Sequence, residues 1–240
     1  MLLCYQISNN QVTVVNDVFA HNQKNTIFYL ESIVKYYKYI SGLNLTVDIY
    51  LYDDIPAVSI SMKEKIYFRS SLIEMKDVAM YLYFPHEIFH QLIGNDVKFV
   101  GDGRLWMLES FTEYLQLRYI MYINKNLANR HTRFLLKRYR DNILNDVPIV
   151  GINGESPELQ IVAAIESRGV LLFQIYFMNV DDNHLRMMLE KLTKVKNVSI
   201  TVFRQICDEI GVDVERLSSE INNIGNYDQI ETEIIKGMHI

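Results

Sequence analysis

The sequence predicts an α+β protein in which a small sheet precedes a mainly helical part. Short runs that alternate apolar and polar residues gather in the first third of the chain, between residues 45 and 69. From about residue 72 onward, apolar residues recur at helical spacing. The chain has only ten glycines and four prolines, too few for the frequent turns of an all-β sandwich or barrel. Strands and helices are therefore expected in separate parts of the chain, as in α+β folds.

The first predicted helix runs from about Lys24 to Ile40, where apolar residues recur at helical spacing and Gly42 follows as a C-cap. The strands that follow it alternate apolar with polar side chains, and a turn rich in Asp and Pro separates the first two. They are predicted at Leu45 to Tyr52, Ala57 to Ser61 and Lys65 to Arg69. Together these segments predict a small sheet with one helix.

Helices are predicted through the rest of the chain, separated by loops that contain glycine or proline. They are Glu74 to Ile93, Leu105 to Ile123, Leu127 to Leu144, Pro157 to Met178, Asn183 to Leu192 and Ser199 to Ile210. The last fifteen residues or so are polar, acidic and weakly periodic, which predicts a tail or a short cap. Residues 1–240 are expected to form a single domain, with an α/β lobe over 1–104 and a helical lobe over 105–240.

The charge balance excludes a sequence-wide basic field. Twenty-four Lys and Arg stand against 29 Asp and Glu, which gives a net charge of −5, so neither a nucleic acid nor a membrane surface is expected as a partner. One predicted helix carries five basic residues on one side. We interpret this side as a solvent-exposed face of the helix, and the alternative is a phosphate-binding site. The five residues are Arg130, Arg133, Lys137, Arg138 and Arg140.

The location predicted from the sequence is the cytoplasm. The two cysteines, Cys4 and Cys207, form no disulfide framework and no metal-knuckle spacing. The amino-terminal segment lacks the basic and apolar regions of a signal peptide. The apolar runs of the chain, Val78 to Phe84 and Val170 to Met178, are shorter than the ~18 residues that cross a bilayer. No oligomeric state is predicted.

Residues 86 to 90 read His-Glu-Ile-Phe-His, the HExxH pattern, within a predicted helix. Residues i and i+4 share one face of a helix, so His86 and His90 can offer imidazole nitrogens to one zinc ion while Glu87 lies beside it. Pro85 removes a backbone donor just before the pattern, which predicts a kink there. The other four histidines are scattered and are expected at the surface: His21, His131, His184 and His239.

A catalytic zinc needs a third protein ligand and one open position. The next predicted helix offers Glu109 and Glu113, one turn apart. From His86 to Gln116 the sequence reads HEIFHQLIGNDVKFVGDGRLWMLESFTEYLQ. This stretch resembles the zinc-binding segment of the gluzincin aminopeptidases, the family of alanyl aminopeptidase and leukotriene hydrolase. That family has HExxH, then Gln-x-x-Gly-Asn, then Leu-Trp-Leu-x-Glu, and eighteen residues separate its second histidine from the last glutamate, as here.

The resemblance implies a zincin, thermolysin-like fold and one Zn²⁺ ion. It implies His86, His90 and Glu109 as the zinc ligands and Glu87 as the general base. In the related thermolysin group, a carboxylate one turn after the ligand glutamate orients a zinc-bound histidine. Glu113 occupies that position here, and the alternative is an exposed helix glutamate.

Two departures from the family concern the transition state and the substrate. The family places a catalytic tyrosine three residues before a glycine, and here Glu166 takes that place before Gly169. Because a carboxylate donates no hydrogen bond unless protonated, Arg168 and Tyr176 are the alternative oxyanion or substrate contacts. The family also binds the substrate amine with a Gly-x-Met-Glu-Asn strand, and the equivalent region here, residues 59 to 69, has no such motif.

The predicted function is a compact zinc metallopeptidase acting on a peptide substrate, aminopeptidase-like, with exo and endo cleavage both open. The missing amine-binding motif suggests a dedicated peptide substrate, such as a leader segment of a modified precursor. The alternative is a zincin-fold module that binds peptides but has impaired catalysis, consistent with Glu166 in the tyrosine's place. Retention of Glu87 favours the enzyme, since a structural zinc site has no use for a general base.

Overall fold

The computed structural model describes residues 1–16, 23–75 and 79–238 of the chain. They belong to two compact units, Met1–Asp96 and Val97–Ile240. The first unit carries a mixed sheet and the second is built of helices, which agrees with the α+β prediction. Two of the histidines expected at the surface, His21 and His239, lie outside the described residues.

The sheet of the first unit has five strands in the order β2-β1-β3-β5-β4. The strands are β1 Leu2–Ser8, β2 Gln11–Val14, β3 Val47–Tyr52, β4 Ser59–Met62 and β5 Lys65–Arg69. Only β3 and β5 run parallel, and the other neighbours run antiparallel. The sequence predicted β3, β4 and β5 but not β1 and β2. A register shift between Leu3 and Tyr5 breaks the apolar alternation of β1, which removes the period-2 signal.

Helix α1, Gln23–Ser41, ends where the sequence predicted. Its buried side chains recur at helical spacing and include Leu30, Ile33 and Ile40, each 0% exposed. Gly42 follows with φ +74°, and its N–H donates to the carbonyl of Lys38 at 2.9 Å. This is the left-handed C-cap that glycine adopts without a Cβ penalty.

The segment predicted as one helix from Glu74 to Ile93 is divided in the structure. A 3₁₀ turn covers Ser70–Met75, a π-helical turn covers Ala79–Tyr83, and helix α2 covers Phe84–Leu92. Pro85 lies in the first turn of α2, and Tyr83 before that helix has helical backbone angles, so the π-helical turn continues directly into α2. The regular α-helical hydrogen bonds are thus interrupted next to the proline, where the sequence predicted a kink.

The second unit consists of seven helices in its described residues. They are α3 Phe111–Ile123, α4 Lys125–Asp141, α5 Glu158–Tyr176, α6 Asp182–Thr193, α7 Ile200–Glu209, α8 Val214–Asn222 and α9 Tyr227–Met238. A π-helical turn, Trp106–Ser110, leads into α3, and residues Ile161–Gly169 of α5 are also π-helical. The predicted tail is wrong: α9 is a helix of twelve residues whose Ile230 and Ile234 are buried.

Aromatic rings form the centre of the second unit. Trp106 is fully buried and stacks on Phe173 with ring centroids 4.8 Å apart. Phe111 meets the same Phe173 ring at 5.1 Å, and Phe203 of α7 contacts both Trp106 and Phe111. Because rings of this size bury 150–250 Å² each, this cluster fixes α3, α5 and α7 against one another.

Helix α5 is long and apolar enough to cross a membrane by length and composition, with a mean hydropathy of 1.2 over its window. It is the one such helix among the described residues. Of that window, 56% is buried inside the protein. Mostly buried core helices of soluble proteins pass the same test.

Candidate metal centre

His86 and His90 lie one turn apart on α2 and direct their rings to a common point. Their Nε2 atoms are 3.0 Å apart, and both residues are half-buried. The other nitrogen of His90, Nδ1, lies 3.0 Å from the carbonyl oxygen of Ile93. Since a carbonyl only accepts, Nδ1 carries the proton, and the Nε2 lone pair of His90 faces His86.

This histidine pair fits a zinc ion. Two imidazole nitrogens at the usual Zn–N distance of 2.0–2.1 Å in a tetrahedral shell are about 3.3 Å apart, and the observed separation is 3.0 Å. The bond from His90 Nδ1 to a backbone carbonyl is the kind that holds a metal-binding histidine in one tautomer and one ring orientation. The pair therefore needs only a small adjustment to accept the metal.

Glu87 lies on α2 between the two histidines and is held by the edge strand β4. The hydroxyl of Ser59 donates to its Oε1 at 2.7 Å, and the hydroxyl of Ser61 donates to its backbone carbonyl at 3.1 Å. The residue is only 6% exposed. One hydrogen bond to a single carboxylate oxygen fixes the side chain and leaves the second oxygen available as a proton acceptor.

Gln91, directly after the HExxH pattern, attaches α2 to the β4–β5 hairpin. Its side-chain amide donates to the hydroxyl of Ser61 at 2.6 Å and to the carbonyl of Met62 at 3.0 Å, and its Oε1 accepts from the N–H of Glu64 at 2.9 Å. Glu64 has φ +61° and is exposed in the hairpin turn. It therefore lies beyond the edge strand rather than on it.

The Gly-Asn pair that follows ends α2. Gly94 has φ +108°, in the left-handed region that favours glycine. The side chain of Asn95 then turns back and donates to the carbonyl of His90 at 3.0 Å. The Gln-x-x-Gly-Asn continuation thus has a structural role in this chain, since it fixes the ends and the tilt of the helix that bears the histidines.

In the second unit, Glu109 is carried by the π-helical turn before α3 and is half-buried. This turn is held against α5: the hydroxyl of Ser110 donates to the carbonyl of Ile165 at 2.6 Å. A Cβ on Gly169 would lie 2.3 Å from the Ser110 hydroxyl and 2.7 Å from Trp106. Glycine is thus required at residue 169 for the close approach that positions the turn bearing Glu109.

Glu113, one turn after Glu109, belongs to a polar cluster with α4 and α5. Its Oε1 lies 3.3 Å from Nε2 of His131, and its Oε2 lies 3.9 Å from the guanidinium of Arg138. Arg138 also approaches the carboxylate of Glu166 at 3.4 Å and donates to the hydroxyl of Ser167 at 2.9 Å. We refer to Glu113, His131, Arg138 and Glu166 as the polar cluster.

The polar cluster corrects two expectations. The side chain of His131 is only 9% exposed, so it is not at the surface, and that of Arg138 is 22% exposed, so it turns inward from the basic face of its helix. The sequence does contain a signal for this pair: the two residues are seven apart, which is two helical turns and places them on one face of α4. Nothing in the residue types alone indicated which carboxylates they meet.

Arg168 does not occupy the position expected of an oxyanion or substrate contact. It is 0% exposed, and its Nε lies 3.1 Å from the carboxylate of Asp146. Its remaining nitrogens donate to the carbonyls of Val147, Glu220 and Asn223 at 2.7 to 3.1 Å. A buried guanidinium is stable only when an opposite charge and hydrogen-bond acceptors surround it, as they do here. The guanidinium therefore holds the fold of the second unit.

Tyr176 is likewise directed into its own unit. Its hydroxyl is buried, and its ring lies under the guanidinium of Arg216 at 5.6 Å. Burial raises the pKa of this phenol well above its ordinary value, while the charge of Arg216 opposes that rise. A hydroxyl enclosed between α5 and α8 is not presented to a substrate, so the expectation of a Tyr176 contact is corrected as well.

Comparison with known proteins supports the fold. No protein-family model matches the sequence, and no curated protein does. Among solved structures, the chain is similar to an M1 zinc metallopeptidase from Deinococcus radiodurans, with a TM-score of 0.65 and 16% identity. The match covers 89% of this chain and 46% of that one, so the chain spans about half the length of its structural neighbour. The chain thus has a zincin-like fold.

Proposed function

We propose that the protein is a zinc-dependent peptidase. The observation that carries the proposal is the convergence of the His86 and His90 Nε2 atoms, 3.0 Å apart, beside a carboxylate that the edge strand holds in place. The zincin-like fold supports it, because it is the fold of a zinc metallopeptidase. We infer that Glu109 is the third ligand, since eighteen residues separate it from His90, as in the gluzincin aminopeptidases.

The three proposed ligands suit zinc. His86, His90 and Glu109 each offer one ligand atom, and each is half-buried, as a site that admits both an ion and a substrate requires. Two imidazoles and one carboxylate leave a fourth tetrahedral position open, which distinguishes catalytic from structural zinc sites. When bound, zinc lowers the pKa of a coordinated water and polarises the substrate carbonyl.

Glu87 is assigned the proton transfers. Its carboxylate accepts a proton from the attacking water, whose oxygen forms the new bond to the scissile carbon. It then gives that proton to the amide nitrogen as the C–N bond breaks, which forms an amine and a carboxylic acid. The acid's own proton then passes to the amine, so that an ammonium group leaves and a carboxylate remains. The hydroxyl of Ser59 holds Oε1 during both steps, which leaves Oε2 to carry the proton.

Strand β4 is assigned to substrate binding. It lies at the edge of the sheet, and it contacts Glu87 through Ser59 and Ser61. An extended peptide that pairs with an edge strand presents its backbone in a fixed register, here next to the general base. Because Glu64 lies in the hairpin turn, this strand carries no glutamate to select a free amino terminus. We therefore favour a dedicated peptide substrate over general aminopeptidase activity.

The first experiment combines metal analysis with cleavage of a peptide library followed by mass spectrometry. Glu87→Gln should keep its zinc and lose about 10³-fold in kcat, within the range for a removed general base. Glu155→Gln, an exposed glutamate, is the matched control and should cleave like the parent. A parent without bound zinc, or a Glu87→Gln variant as active as the parent, would refute the proposal. Peptide binding without turnover would favour the impaired module instead.

A further inference from the structure

A groove in the second unit runs between α4 and α9, and the proposed chemistry makes no use of it. It consists of two adjoining cavities of about 230 and 370 Å³, which share Asn129 and Met238 in their linings. The smaller cavity is mostly apolar, with Leu117, Ile175 and Phe177 among its lining residues. The larger is lined by Arg133, Lys137 and Arg140. We call this the α4–α9 groove, with an apolar end and a basic end.

The basic end carries uncompensated charge. Arg133 and Arg140 are exposed, and neither forms an ion pair with any residue in the part of the chain that the structure describes. Among the described residues, Lys137 forms its ion pair with Asp141 of its own helix. One carboxylate, Glu231, lines this end and accepts the hydroxyl of Tyr227 at 2.7 Å. The positive charge of Arg140 opposes the rise that burial causes in the pKa of Tyr227.

Five other arginines of the second unit, in contrast, face carboxylates. Arg118 pairs with Asp182, Arg138 with Glu113 and Glu166, Arg168 with Asp146, Arg204 with Glu215 and Arg216 with Glu233. The chain as a whole has a net charge of −5. Like charges gathered on one helix repel one another, so two arginines without ion pairs among the described residues, at one end of a groove in an acidic protein, suit an anionic partner.

The apolar end is suited to a flexible hydrophobic contact. Met121 and Met178 line it and remain 45% and 47% exposed. Methionine side chains adapt to varied shapes and are common on surfaces that bind apolar side chains of peptides.

The spacing of the charges selects the class of ligand. From Asn129 to Arg140 the groove follows twelve residues of α4, which is about 16 Å along the helix axis, and Arg133 and Arg140 lie within this length. About five residues of extended peptide cover that length. A single carboxylate at the end of an acyl chain would meet one of these cations, whereas several acidic side chains spread along a peptide would meet them all.

From this geometry we propose that the α4–α9 groove binds a peptide segment in which a large apolar side chain is followed by acidic residues. The apolar side chain enters the end lined by Met121 and Met178, and the acidic residues lie against Arg133 and Arg140. The proposal that the groove binds such a peptide does not depend on peptidase activity. The further proposal that the bound segment is a part of the substrate remote from the cleaved bond rests on the proposed function.

The test is fluorescence anisotropy with a labelled peptide that contains one leucine followed by a run of glutamates. The full-length Glu87→Gln variant is used, so that bound peptide is not cleaved. Adding Arg133→Glu and Arg140→Glu should weaken binding about tenfold or more, since opposite charges are replaced by like charges. Arg130→Glu, an exposed arginine of the same helix outside the cavity linings, should have little effect. Raised salt should weaken peptide binding to the Glu87→Gln protein. It should change binding only slightly in the protein that also carries Arg133→Glu and Arg140→Glu.

The apolar end is tested separately with Met121→Glu, which should weaken the leucine peptide but not a control peptide whose leucine is replaced by glycine. Circular dichroism melting of each variant checks that the fold is kept. The proposal would be overturned if the Glu87→Gln protein bound the peptide equally well with and without Arg133→Glu and Arg140→Glu, or if salt left its binding unchanged. It would also be overturned if laurate, an acyl chain with a single carboxylate, bound tightly and displaced the peptide. If the peptide binds but no library peptide is cleaved, the groove stands and the peptidase proposal fails.

Discussion

Glu87 depends on one hydroxyl for its position. Ser59 donates to its Oε1 at 2.7 Å, and the remainder of the side chain is nearly enclosed by protein. A hydrogen bond to a charged group contributes about 1.5–3 kcal/mol. In the proposed reaction this bond keeps the second oxygen directed toward the water, so its loss should slow the proton transfer without removing the acceptor.

We predict that Ser59→Ala lowers kcat about tenfold, the equivalent of ~1.4 kcal/mol, and leaves zinc content unchanged. The measurement is steady-state cleavage of the best library peptide, with metal analysis of the same preparation. Ser71→Ala, an exposed serine of the same unit, is the control and should match the parent. A Ser59→Ala variant with unaltered kcat would show that Glu87 needs no such support.

At the residue scale, the sequence predicted what depends on local spacing. His86, Glu87 and His90 follow from the i, i+4 geometry of a helix, and the structure directs the two imidazoles together as that geometry requires. The assignments of Arg168 and Tyr176 failed because they depend on which way a side chain points from a helix within a packed unit. That direction is set by partners distant in sequence, such as Asp146 and Arg216.

At the scale of elements, helices with strong apolar periodicity were predicted to within a few residues of their ends. The π-helical turns were not, because they preserve the apolar pattern while changing the hydrogen bonds. They occur at Ala79–Tyr83 before α2, at Trp106–Ser110, which contains Glu109, and within α5 at Ile161–Gly169. Such turns are frequent at functional sites. Here the first leads into the helix of the two histidines, the second contains Glu109, and the third contacts the second through Ile165.

The ion pair between Arg168 and Asp146 joins α5 to the loop before it and to the carboxyl end of α8. Asp146 also accepts the hydroxyl of Tyr139 at 2.9 Å and the N–H of Gly225 at 2.8 Å. Both charged side chains are 0% exposed. Removing one partner of a buried pair leaves an uncompensated charge, which costs more than the pair itself contributes.

We predict that Arg168→Met lowers the free energy of unfolding by about 3–5 kcal/mol. Lys191→Met removes the exposed pair of Lys191 with Glu209, and we expect it to change that free energy by less than about 1 kcal/mol. Urea unfolding followed by circular dichroism measures both. Similar losses in the two variants would mean that the buried network does not stabilise the second unit as described.

At the scale of the whole molecule, several groups are buried in their protonated form. Burial raises the pKa of Cys207 above its ordinary value of 9.0 and the pKa values of Tyr37 and Tyr139 above 10.0. The unfolded chain loses these protons near the ordinary values, whereas the folded chain retains them. The folded state therefore binds more protons above pH 9, and its stability is fully present below that pH.

We predict that the free energy of unfolding is nearly constant between about pH 7 and 8.5 and declines above pH 9. Each such group contributes a slope of up to ~1.4 kcal/mol per pH unit. Urea titrations at a series of pH values measure the slope, and Tyr37→Phe should reduce it. A stability that rises through pH 10, or a slope that Tyr37→Phe leaves unaltered, would contradict the assigned burial.

The chain covers 46% of its structural neighbour while retaining a zincin-like fold. Its net charge of −5 could not reveal that cations collect in the α4–α9 groove, because that depends on how α4 packs against α9. Fold class and the HExxH pattern were accessible from periodicity and spacing. The partners of buried charged groups were not, because tertiary packing alone decides them.

The most direct measurement of the central claim is the zinc stoichiometry of the purified chain by inductively coupled plasma mass spectrometry. We predict one zinc per chain in the parent and in Glu87→Gln, and a large loss of zinc in His90→Ala and Glu109→Ala. Zinc absent from the parent after incubation with the metal, or retained in full by His90→Ala, would contradict this prediction.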